Sequence, residues 1–379
     1  MIYLDHAATT PMRPGVWEAM APYADDRFGN PSGVHGVSRV AKNALEDARE
    51  EIAALIGAGP MEVVFTSGGT ESDNLAVKGA VFSSSPRRGL VTSAIEHEAI
   101  LETAHFLQRL DYPVTFVGVD DEARVDPLAI GDAVTSDTAV VSVMMVNNET
   151  GTVQDVTAIA AEVKAANPET LLHTDAVQAF GCEPVDVDEL GVDLLTMSAH
   201  KFGGPKGVGV LYVRDGTALE AVIHGGGQEL GRRSGTQDVA SAVGIATAAR
   251  LADADRPRFV RETSAIRDHM KDRLTSLGNV FVNTPEKGCS SHHLNVSFPR
   301  VRNETLLMLL DQRGVAASAG SACQSGAAEV SHVLEAMGLT SDQARESVRF
   351  TFGWTSTIDD ADQAADVVDE IVTRLRDMS

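Results

Sequence analysis

Apolar residues recur every four positions in an early and otherwise charged part of the chain. Within residues 34–56 these apolar positions are Val40, Ala44, Ala48, Ile52 and Ile56. The spacing puts them on one face of an amphipathic helix. Ala58-Gly59-Pro60 follows at once and predicts the end of that helix.

Short apolar and β-branched runs then alternate with helical patterns. The runs cover residues 63–65, 114–117, 139–146, 171–173, 194–196 and 209–213. This alternation predicts an α/β fold, a largely parallel sheet covered by helices. Several runs end in polar or glycine-rich residues. Because ligands of open α/β sheets bind beyond the carboxyl ends of the strands, we expect the reactive groups to gather there.

Length and charge limit the class of protein. The chain has 379 residues, which favours two domains, or one large domain with a smaller lobe. A charged stretch at residues 252–261 is typical of a connection that leads into a long helix, and we place the domain boundary near it. The 54 acidic and 31 basic residues give a formal charge of -23, which disfavours unspecific binding to nucleic acid or to anionic membranes.

The three cysteines, Cys182, Cys289 and Cys323, form no C-x-x-C pair. Neither a disulfide framework nor a thiolate-ligated zinc site is therefore expected. The first residues lack the pattern of a secretory signal, and no apolar stretch has the length of a membrane span. These features predict a cytoplasmic protein without a metal. Cys323 stands within residues 316–328, built almost wholly from Ala, Gly and Ser, and this composition predicts a mobile loop.

Two segments have the composition of a cofactor site. Lys201 ends the motif SAHK at residues 198–201, and a lysine at a buried strand end loses water, which lowers its pKa and frees an amine suited to a Schiff base. The turn TSGGTE at residues 66–71 lies between a strand and a helical pattern, where backbone N–H groups can receive a phosphate. A surface lysine and an ordinary glycine turn are the alternatives. The turn lacks the Walker and dinucleotide spacings, which argues against a nucleotide.

Further side chains extend this chemistry. Asp175 ends an apolar run and is suited to keeping a pyridine nitrogen protonated, and Gln178 is placed to reach the phenolic oxygen. The alternative role of Asp175 is that of a helix N-cap. His97 is suited to stacking on a ring or moving protons, and its alternative is a structural histidine. Arg349 is suited to gripping a substrate carboxylate, and its alternative is an ordinary ion pair.

Taken in order, the motifs resemble one family, the cysteine desulfurases of the NifS/IscS type within the class V branch of aminotransferase-like proteins. The resemblance covers nearly the whole chain. It rests on residues 3–10, 29–32, 66–74, 96–97, 147–151, 173–178, 198–209, 225–229, 233–236 and 318–323. So many motifs in one order are specific, whereas each alone is weak.

The resemblance implies a pyridoxal phosphate protein of fold type I. Residues 14–255 would form the large cofactor-binding domain with a mixed, mostly parallel sheet. Residues 1–13 and 256–379 would form a smaller α+β domain that carries the Cys323 loop. The implied activity converts L-cysteine to L-alanine, with the sulfur held as a persulfide on Cys323. An acceptor protein would then receive it for iron–sulfur cluster assembly or tRNA thiolation.

The resemblance also implies residue roles. Lys201 would carry pyridoxal 5'-phosphate, Asp175 would pair with the ring nitrogen, and His97 would stack on the ring. Arg349 would bind the substrate carboxylate, and Cys323 would accept the sulfur. The other implied contacts are near the phenolic oxygen and the substrate, by Asn148 and Gln178, and around the phosphate, by Gly69, Thr70, Ser198, His200 and, from the second subunit of a homodimer, Thr236.

Two residues depart from the family pattern, and two other functions remain. His6 stands where Asn is common and Gln324 where Thr is common, so we expect local retuning; the tail after Arg349 is also short, which leaves the sulfur acceptor open. One alternative is a selenocysteine lyase or another class V C–S lyase, against which Cys323 argues. The other is a catalytically silent assembly protein, against which the presence of Lys201 and Asp175 argues.

Overall fold

The computed structural model describes residues 1–84, 89–320 and 330–378. Its strands are β1 Ile2–Tyr3, β2 Val63–Thr66, β3 Gly89–Ser93, β4 Val114–Val117, β5 Thr138–Ser142, β6 Leu171–Asp175, β7 Leu194–Ser198, β8 Gly209–Val213, β9 Phe281–Val282, β10 His293–Ser297, β11 Val315–Ala316 and β12 Ser347–Thr351. Its helices are α1 Val16–Ala24, α2 Gly36–Leu55, α3 Gly69–Ser83, α4 Glu98–Arg109, α5 Pro127–Ala133, α6 Val156–Ala166, α7 Val187–Leu190, α8 Val239–Thr275, α9 Asn303–Gln312, α10 His332–Ala336, α11 Ser341–Ala344 and α12 Ile358–Met378.

The main sheet has the order β2-β8-β7-β6-β5-β3-β4 within the described residues. Strands β7, β6, β5, β3 and β4 pair in parallel, whereas β8 runs antiparallel to both of its neighbours. Every residue of β3, β5, β7 and β8 is buried, because helices cover both faces of the sheet. The predicted α/β class with a mixed, mostly parallel sheet is confirmed.

Local periodicity located most of these elements. The predicted helix over residues 34–56 is α2, and the bounds predicted for β4 and β8 agree with the structure. The run at residues 139–146 is a strand only from Thr138 to Ser142. Beyond that point the chain leaves the sheet, and Val146 makes an isolated bridge to Val153 across the turn that follows.

The predicted connection at residues 252–261 is wrong, because these residues lie inside α8, a helix of 37 residues that also contains Pro257. The charges that resembled a linker pair along the helix surface. Asp253 lies 3.4 Å from Arg256, and Asp255 lies 2.6 Å from Arg258. Pairs at this spacing stabilise a solvated helix face, so a dense charge run is compatible with continuous helix.

Two of the hydrophobic cores in the described part of the chain bear on the domain boundary. The first packs on one face of the main sheet and includes Ala242, Ile245 and Ala249 from the start of α8. The second joins β10, β12, α9 and α12, and includes Ile266 and Met270 from the end of α8. Helix α8 therefore belongs to both cores. A division at residues 255 and 256 falls inside it, and that domain boundary stays a prediction.

The chain start belongs to the second core. Leu4 is buried in it, and β1 pairs in parallel with β11. This pairing brings residues 5–10 to the carboxyl ends of β6 and β7. No helix in the described part of the chain has the length and apolar character to cross a membrane. Residues 1–84, 89–320 and 330–378 also contain no cluster of three His, Cys, Asp or Glu side chains fit for a metal ion.

Candidate active site

A cavity of about 300 Å³ opens at the carboxyl ends of β6 and β7, beside the first turn of α3. It has the size of a small-molecule site. Most of the residues predicted for the site line it: Gly69, Thr70, His97, Asn148, Asp175, Gln178, Ser198, His200, Lys201 and Arg349. These ten residues belong to six separate segments of the chain and meet only in the folded state, so their convergence is a property of the fold.

Lys201 ends a one-turn 3-10 helix that follows β7 directly. Its Nζ donates hydrogen bonds to the carbonyl oxygens of Ala7, at 2.5 Å, and Ala8, at 3.0 Å. The Gln178 carboxamide donates to the same Ala7 oxygen at 2.9 Å. The chain start thus holds the amine in the cavity. The sequence identified Lys201 and Gln178, but it gave no signal that two alanine carbonyls receive them.

Asp175 is the last residue of β6, and its Oδ1 accepts the N–H of Val177 at 2.8 Å. Burial raises its pKa to about 6, although the Val177 N–H and Lys201 act in the opposite direction. Asp73, one turn along α3 from Thr70, is 1% exposed and lines the same cavity. Its Oδ1 has no hydrogen-bond partner among the described residues, and burial together with Asp175 raises its pKa.

His173 lies behind these two carboxyl groups. Its Nδ1 is 2.9 Å from the Ser142 hydroxyl, and its Nε2 is 3.0 Å from the Thr196 hydroxyl and 3.7 Å from Asp73 Oδ1. Burial lowers the pKa of His173 to about 3, so the imidazole is neutral near pH 7 and supplies no cation to Asp73. The carboxyl groups of Asp73 and Asp175 therefore have no cationic hydrogen-bond partner among these groups.

His97 has a structural role and also lines the cavity, where stacking on a ring stays a prediction. It is the N-cap residue of α4, where its Nδ1 accepts the N–H of Ala99 at 3.1 Å. Burial, with contributions from Lys201 and His332, lowers its pKa to about 4. Because Nδ1 is an acceptor and the ring is neutral, the proton lies on Nε2. The cap therefore fixes the tautomer of a ring that lines the cavity.

The opposite end of the cavity is suited to an anion. Gly69 and Thr70 begin α3, whose first N–H groups carry a partial positive charge. Ser198 ends β7, and His200 Nδ1 lies 3.2 Å from the Thr9 hydroxyl. A Cβ at Gly69 would lie 3.0 Å from the Val177 side chain, so glycine permits the close approach of α3 to the end of β6.

Arg349 on β12 is 2% exposed and bridges several parts of the chain. Its Nη2 pairs with Asp5 Oδ1 at 2.8 Å, and its Nη1 donates to the carbonyl oxygens of Asn148 and Gly320 at 2.7 and 3.1 Å. Its Nε has no partner among the described residues. A guanidinium has five N–H donors, so the Nε–H and one Nη2–H remain on the edge that a carboxylate takes in a two-pronged contact.

Two predicted site residues are not in this cavity. Thr236 is exposed and lies outside it. Cys323 lies outside the described residues, together with Gln324, and predictions about them stay predictions. Gly320, three residues before Cys323, does line the cavity. His6, the other departure from the family pattern, is buried and shares a hydrogen bond of 2.7 Å with the Thr10 hydroxyl.

Sequence reasoning missed several lining residues: Asp73, Glu98, Glu149 and His332. Asp73 was detectable as a carboxylate in the otherwise apolar inner face of α3. The others gave no local signal. His332 lies in the cavity because its Nε2–H donates to the carbonyl oxygen of Glu96 at 3.0 Å, a contact between distant parts of the chain.

The cavity fits pyridoxal phosphate. At one end of the cavity, Asp175 and the unpartnered Oδ1 of Asp73 lack a positively charged hydrogen-bond donor. A protonated pyridine nitrogen would be such a donor. The other end of the cavity offers helix N–H groups and hydroxyls to a phosphate. Lys201 lies between the two and supplies the primary amine. Asp175, Lys201, His97 and the Gly69–Thr70 turn would thus hold the ring, the aldehyde carbon and the phosphate.

Comparisons with known proteins agree with this geometry. A family model described as Aminotransferase class-V matches residues 2–364. Cysteine desulfurase IscS of Dictyoglomus turgidum is 43% identical over 380 residues, covering 100% of this chain and 96% of that protein. A solved NifS-like protein superposes with a TM-score of 0.93 at 37% identity, covering 98% of this chain and 99% of that one.

A second solved structure, SspA in complex with cysteine, has a TM-score of 0.82 at 36% identity and covers 93% of this chain and 99% of that one. These likenesses extend over both hydrophobic cores and over the cavity between them. They also bear out the predicted dependence on pyridoxal phosphate, which this family shares. The chain belongs to the class V aminotransferase family and, within it, to the cysteine desulfurases of the NifS/IscS type.

Proposed function

We propose that this protein converts L-cysteine to L-alanine and holds the released sulfur as a persulfide on Cys323. One observation carries the proposal. A single cavity joins the amine of Lys201, the buried carboxyl of Asp175, the open edge of Arg349 and Gly320, the described residue three positions before Cys323. This reaction requires an amine for the cofactor, a carboxylate for its ring, a clamp for the substrate carboxylate and a thiol, and Cys323 follows the cavity residue Gly320 by three positions in the sequence.

Bound pyridoxal phosphate would supply an electron sink for the substrate α-carbon. The Lys201 amine then removes the α-proton, since it is held in the cavity and is suited to act as a base once released. Asp175 would accept a hydrogen bond from the protonated ring nitrogen, because its carboxyl, with a pKa of about 6, is mostly ionised near pH 7. The neutral His97 ring, with its proton on Nε2, is suited to stacking and to relaying a proton at the substrate.

The sulfur step balances without an added oxidant. The Cys323 thiolate attacks the substrate Sγ, an S–S bond forms, and the substrate Cβ–Sγ bond breaks. The electron pair of the broken bond stays on Cβ, which takes up a proton and becomes the methyl group of alanine. One cysteine and one thiol thus give one alanine and one persulfide. Thiol exchange chemistry passes the sulfur on.

Arg349 and Asn148 would orient the substrate. The Nε–H and free Nη2–H of Arg349 would bind the α-carboxylate in two hydrogen bonds. The Asn148 carbonyl oxygen already accepts from Arg349 Nη1, so the backbone of Asn148 fixes the guanidinium while its side chain faces the cavity. This arrangement selects an amino acid with a free carboxylate.

A homodimer would complete the phosphate end of the site. Thr236 is exposed in a single chain, and we propose that it contacts the phosphate held by the second subunit. Large apolar side chains are exposed at and near α2, among them Phe28 at 73% and Val34 at 91%. Burial of such a surface stabilises a symmetric dimer.

The sulfur acceptor is proposed to be another protein, an iron–sulfur scaffold or a tRNA-thiolation protein. Exchange between a persulfide and an acceptor thiol requires a reduced compartment, and the low cysteine content agrees with a cytoplasmic location. No direct contact with nucleic acid or a membrane is proposed.

One assay tests the function. The purified protein is incubated with pyridoxal phosphate, L-cysteine and a reductant, and alanine, sulfide and pyruvate are measured together. We expect equal amounts of alanine and sulfide and no pyruvate, with Lys201→Ala as the inactive control. Pyruvate in place of alanine would assign the protein to the other C–S lyases, and the absence of every product would favour a silent assembly protein.

A further inference from the structure

One buried carboxyl group touches both borders of the segment that carries Cys323. Glu149 is 1% exposed, lines the cavity and follows Asn148 directly. Gly320 directly precedes residues 321–329, and Ser331 is the second residue after them. We propose that Glu149 is a positioning residue that holds these two borders together and thereby supports sulfur transfer to Cys323. The inference rests on the proposed function of Cys323.

The first border packs directly on the Glu149 carboxyl group. Gly320 has a backbone φ of +102°, and a Cβ built on it would lie 2.5 Å from Glu149 Oε2 and 3.0 Å from Cδ. No side chain fits in that space. The Gly320 carbonyl oxygen also accepts from Arg349 Nη1 at 3.1 Å. Glycine is therefore required at this border both by the backbone conformation and by contact with Glu149.

The second border is bonded to the same oxygen. The Ser331 hydroxyl donates to Glu149 Oε2 at 2.5 Å and accepts the N–H of Leu334 at 3.1 Å, which caps α10. Ser331 thus uses its one donor on Glu149 and its acceptor on the helix. The start of α10 cannot shift away from Glu149 without losing a buried hydrogen bond, which costs free energy.

Glu149 is itself held firmly. The side-chain oxygen of Asn147 accepts the N–H groups of Glu149 and Thr150 at 3.0 and 2.9 Å. The Asn295 carboxamide donates to the Glu149 carbonyl oxygen at 3.3 Å. Residues 147–150 therefore form a rigid turn to which both borders attach. The same turn contains Asn148, whose carbonyl oxygen receives Arg349 Nη1.

Chain length makes this anchor matter for sulfur transfer. Cys323 follows Gly320 by three residues, and three residues of extended chain span at most about 11 Å. A displaced Gly320 would move the whole range that the thiol can reach. Misplacement of a reacting group by about 1 Å can cost about 100-fold in rate. Loss of the anchor at Glu149 should therefore slow the sulfur step far more than it weakens cysteine binding, because Arg349 keeps its contacts with Asn148 and Asp5 when the contact with Gly320 is disturbed.

The test compares Glu149→Ala and Glu149→Gln with the wild-type holoenzyme. Cysteine binding is followed by the change in cofactor absorbance, and persulfide on Cys323 is measured by mass spectrometry in a single turnover. For Glu149→Ala we expect cysteine affinity within about twofold of wild type and persulfide formation at least about tenfold slower. Glu149→Gln keeps an oxygen for Ser331 and should recover most of the rate.

A second pair of variants tests the same contact if Glu149→Ala does not fold. Gly320→Ala should slow persulfide formation in the same way. Gly338→Ala is its matched control, because Gly338 also has a positive φ, of +95°, but has no neighbour within 4 Å of an added Cβ. Equal persulfide rates in Gly320→Ala and Gly338→Ala would overturn the inference, as would equal losses of cysteine affinity and persulfide rate in Glu149→Ala. A wild-type protein that forms no persulfide would instead overturn the proposed function.

Discussion

Arg349 makes three protein contacts and still keeps donors for the proposed substrate contact. Asp5, Asn148 and Gly320 occupy Nη1 and half of Nη2, which orients the guanidinium and leaves its Nε edge open. The ion pair with Asp5 is therefore a support for the proposed substrate contact. The two alternatives weighed for this residue, a carboxylate clamp and an ordinary ion pair, are compatible.

We predict that Arg349→Ala lowers kcat/KM for cysteine by roughly 10- to 150-fold, since charge-assisted hydrogen bonds contribute about 1.5 to 3 kcal/mol. The affinity for the cofactor, followed by fluorescence titration, should change little. Arg267→Ala is the control, because Arg267 donates to the Ser290 carbonyl oxygen at 2.9 Å outside the cavity. An unchanged kcat/KM would reassign Arg349 to a purely structural role.

Glu96 is a buried carboxyl group beside the cavity. It is fully buried, its Oε1 accepts the N–H of Met144 at 2.9 Å and the Ser93 hydroxyl, and its Oε2 has no partner among the described residues. Burial raises its pKa from 4.5 to about 8, with a smaller contribution from Asp175. The folded protein therefore keeps this proton over a pH range in which the unfolded chain has released it.

It follows that Glu96 lowers the free energy of unfolding as pH rises from about 4.5 to about 8. We predict that Glu96→Gln removes this loss, so that the variant gains stability relative to wild type between pH 5 and pH 8, on the order of a few kcal/mol. Urea unfolding at both pH values measures it. The exposed Glu102→Gln serves as control, and a pH-independent difference for Glu96→Gln would show that the carboxyl is ionised throughout.

At the scale of elements, the approach of β8 to the turn before α3 fixes the phosphate end of the cavity. A Cβ at Gly209, the first residue of β8, would lie 2.7 Å from the Cα of Gly68 and 2.8 Å from the Met197 carbonyl oxygen. These neighbours are backbone atoms in the sheet and the turn. They cannot rotate away as a side chain would.

We predict that Gly209→Ala destabilises the protein by about 1 to 3 kcal/mol, the usual cost of overpacking, and weakens cofactor binding because the turn at Gly68 must move. Gly118→Ala is the control, since an added Cβ there has no neighbour within 4 Å. Thermal unfolding and cofactor titration measure both effects. A variant with normal stability and normal cofactor affinity would contradict the packing argument.

The segment with Cys323 is the element on which sulfur transfer depends. Cys323→Ser should keep the visible absorbance of the cofactor and the spectral response to cysteine, because neither needs the thiol, while turnover falls by at least about 100-fold. Cys182 is buried and Cys289 is half-buried, and burial raises the pKa of both thiols. Cys182→Ser and Cys289→Ser should therefore form persulfide normally. Near-normal alanine production by Cys323→Ser would exclude the mechanism.

In the whole molecule, the exposed apolar side chains near α2 and the exposed Thr236 agree with the proposed second subunit. The Glu229 carboxylate forms an ion pair of 2.8 Å with the buried Arg49 guanidinium of α2. This pair attaches the segment that leads to Thr236 to α2 and holds it in place, although Thr236 does not line the cavity of its own subunit.

We predict a homodimer that Val34→Asp dissociates, because a charge would be buried in an apolar interface. Light scattering should show a dimer for wild type and a lower mass for the variant, with weakened cofactor binding in the monomer. Met308→Asp, at a 57% exposed position on α9, is the control and should remain dimeric. A wild-type monomer with full activity would rule out the proposed role of Thr236.

Local side-chain patterns were enough to predict the positions of most elements and the residues of the candidate site. The four-residue spacing in α2 and the apolar runs of β4 and β8 depend on which side chains face a local neighbour, so periodicity located them. The motifs and their order likewise identified Lys201, Asp175 and Arg349, because residue type and spacing can be read directly from the sequence. The charge run inside α8 misled the prediction because linkers and solvated helix faces have the same composition.

Which of these groups meet is visible only in the folded chain. The carbonyl oxygens of Ala7 and Ala8 receive Lys201, and Glu149 joins Gly320 to Ser331, across separations that no local pattern encodes. The raised pKa of Glu96 and the unpartnered Oδ1 of Asp73 likewise arise from burial by distant elements. Periodicity depends on neighbours along the chain, whereas desolvation and hydrogen bonding depend on neighbours in space. Those neighbours in space come together only when both cores have formed.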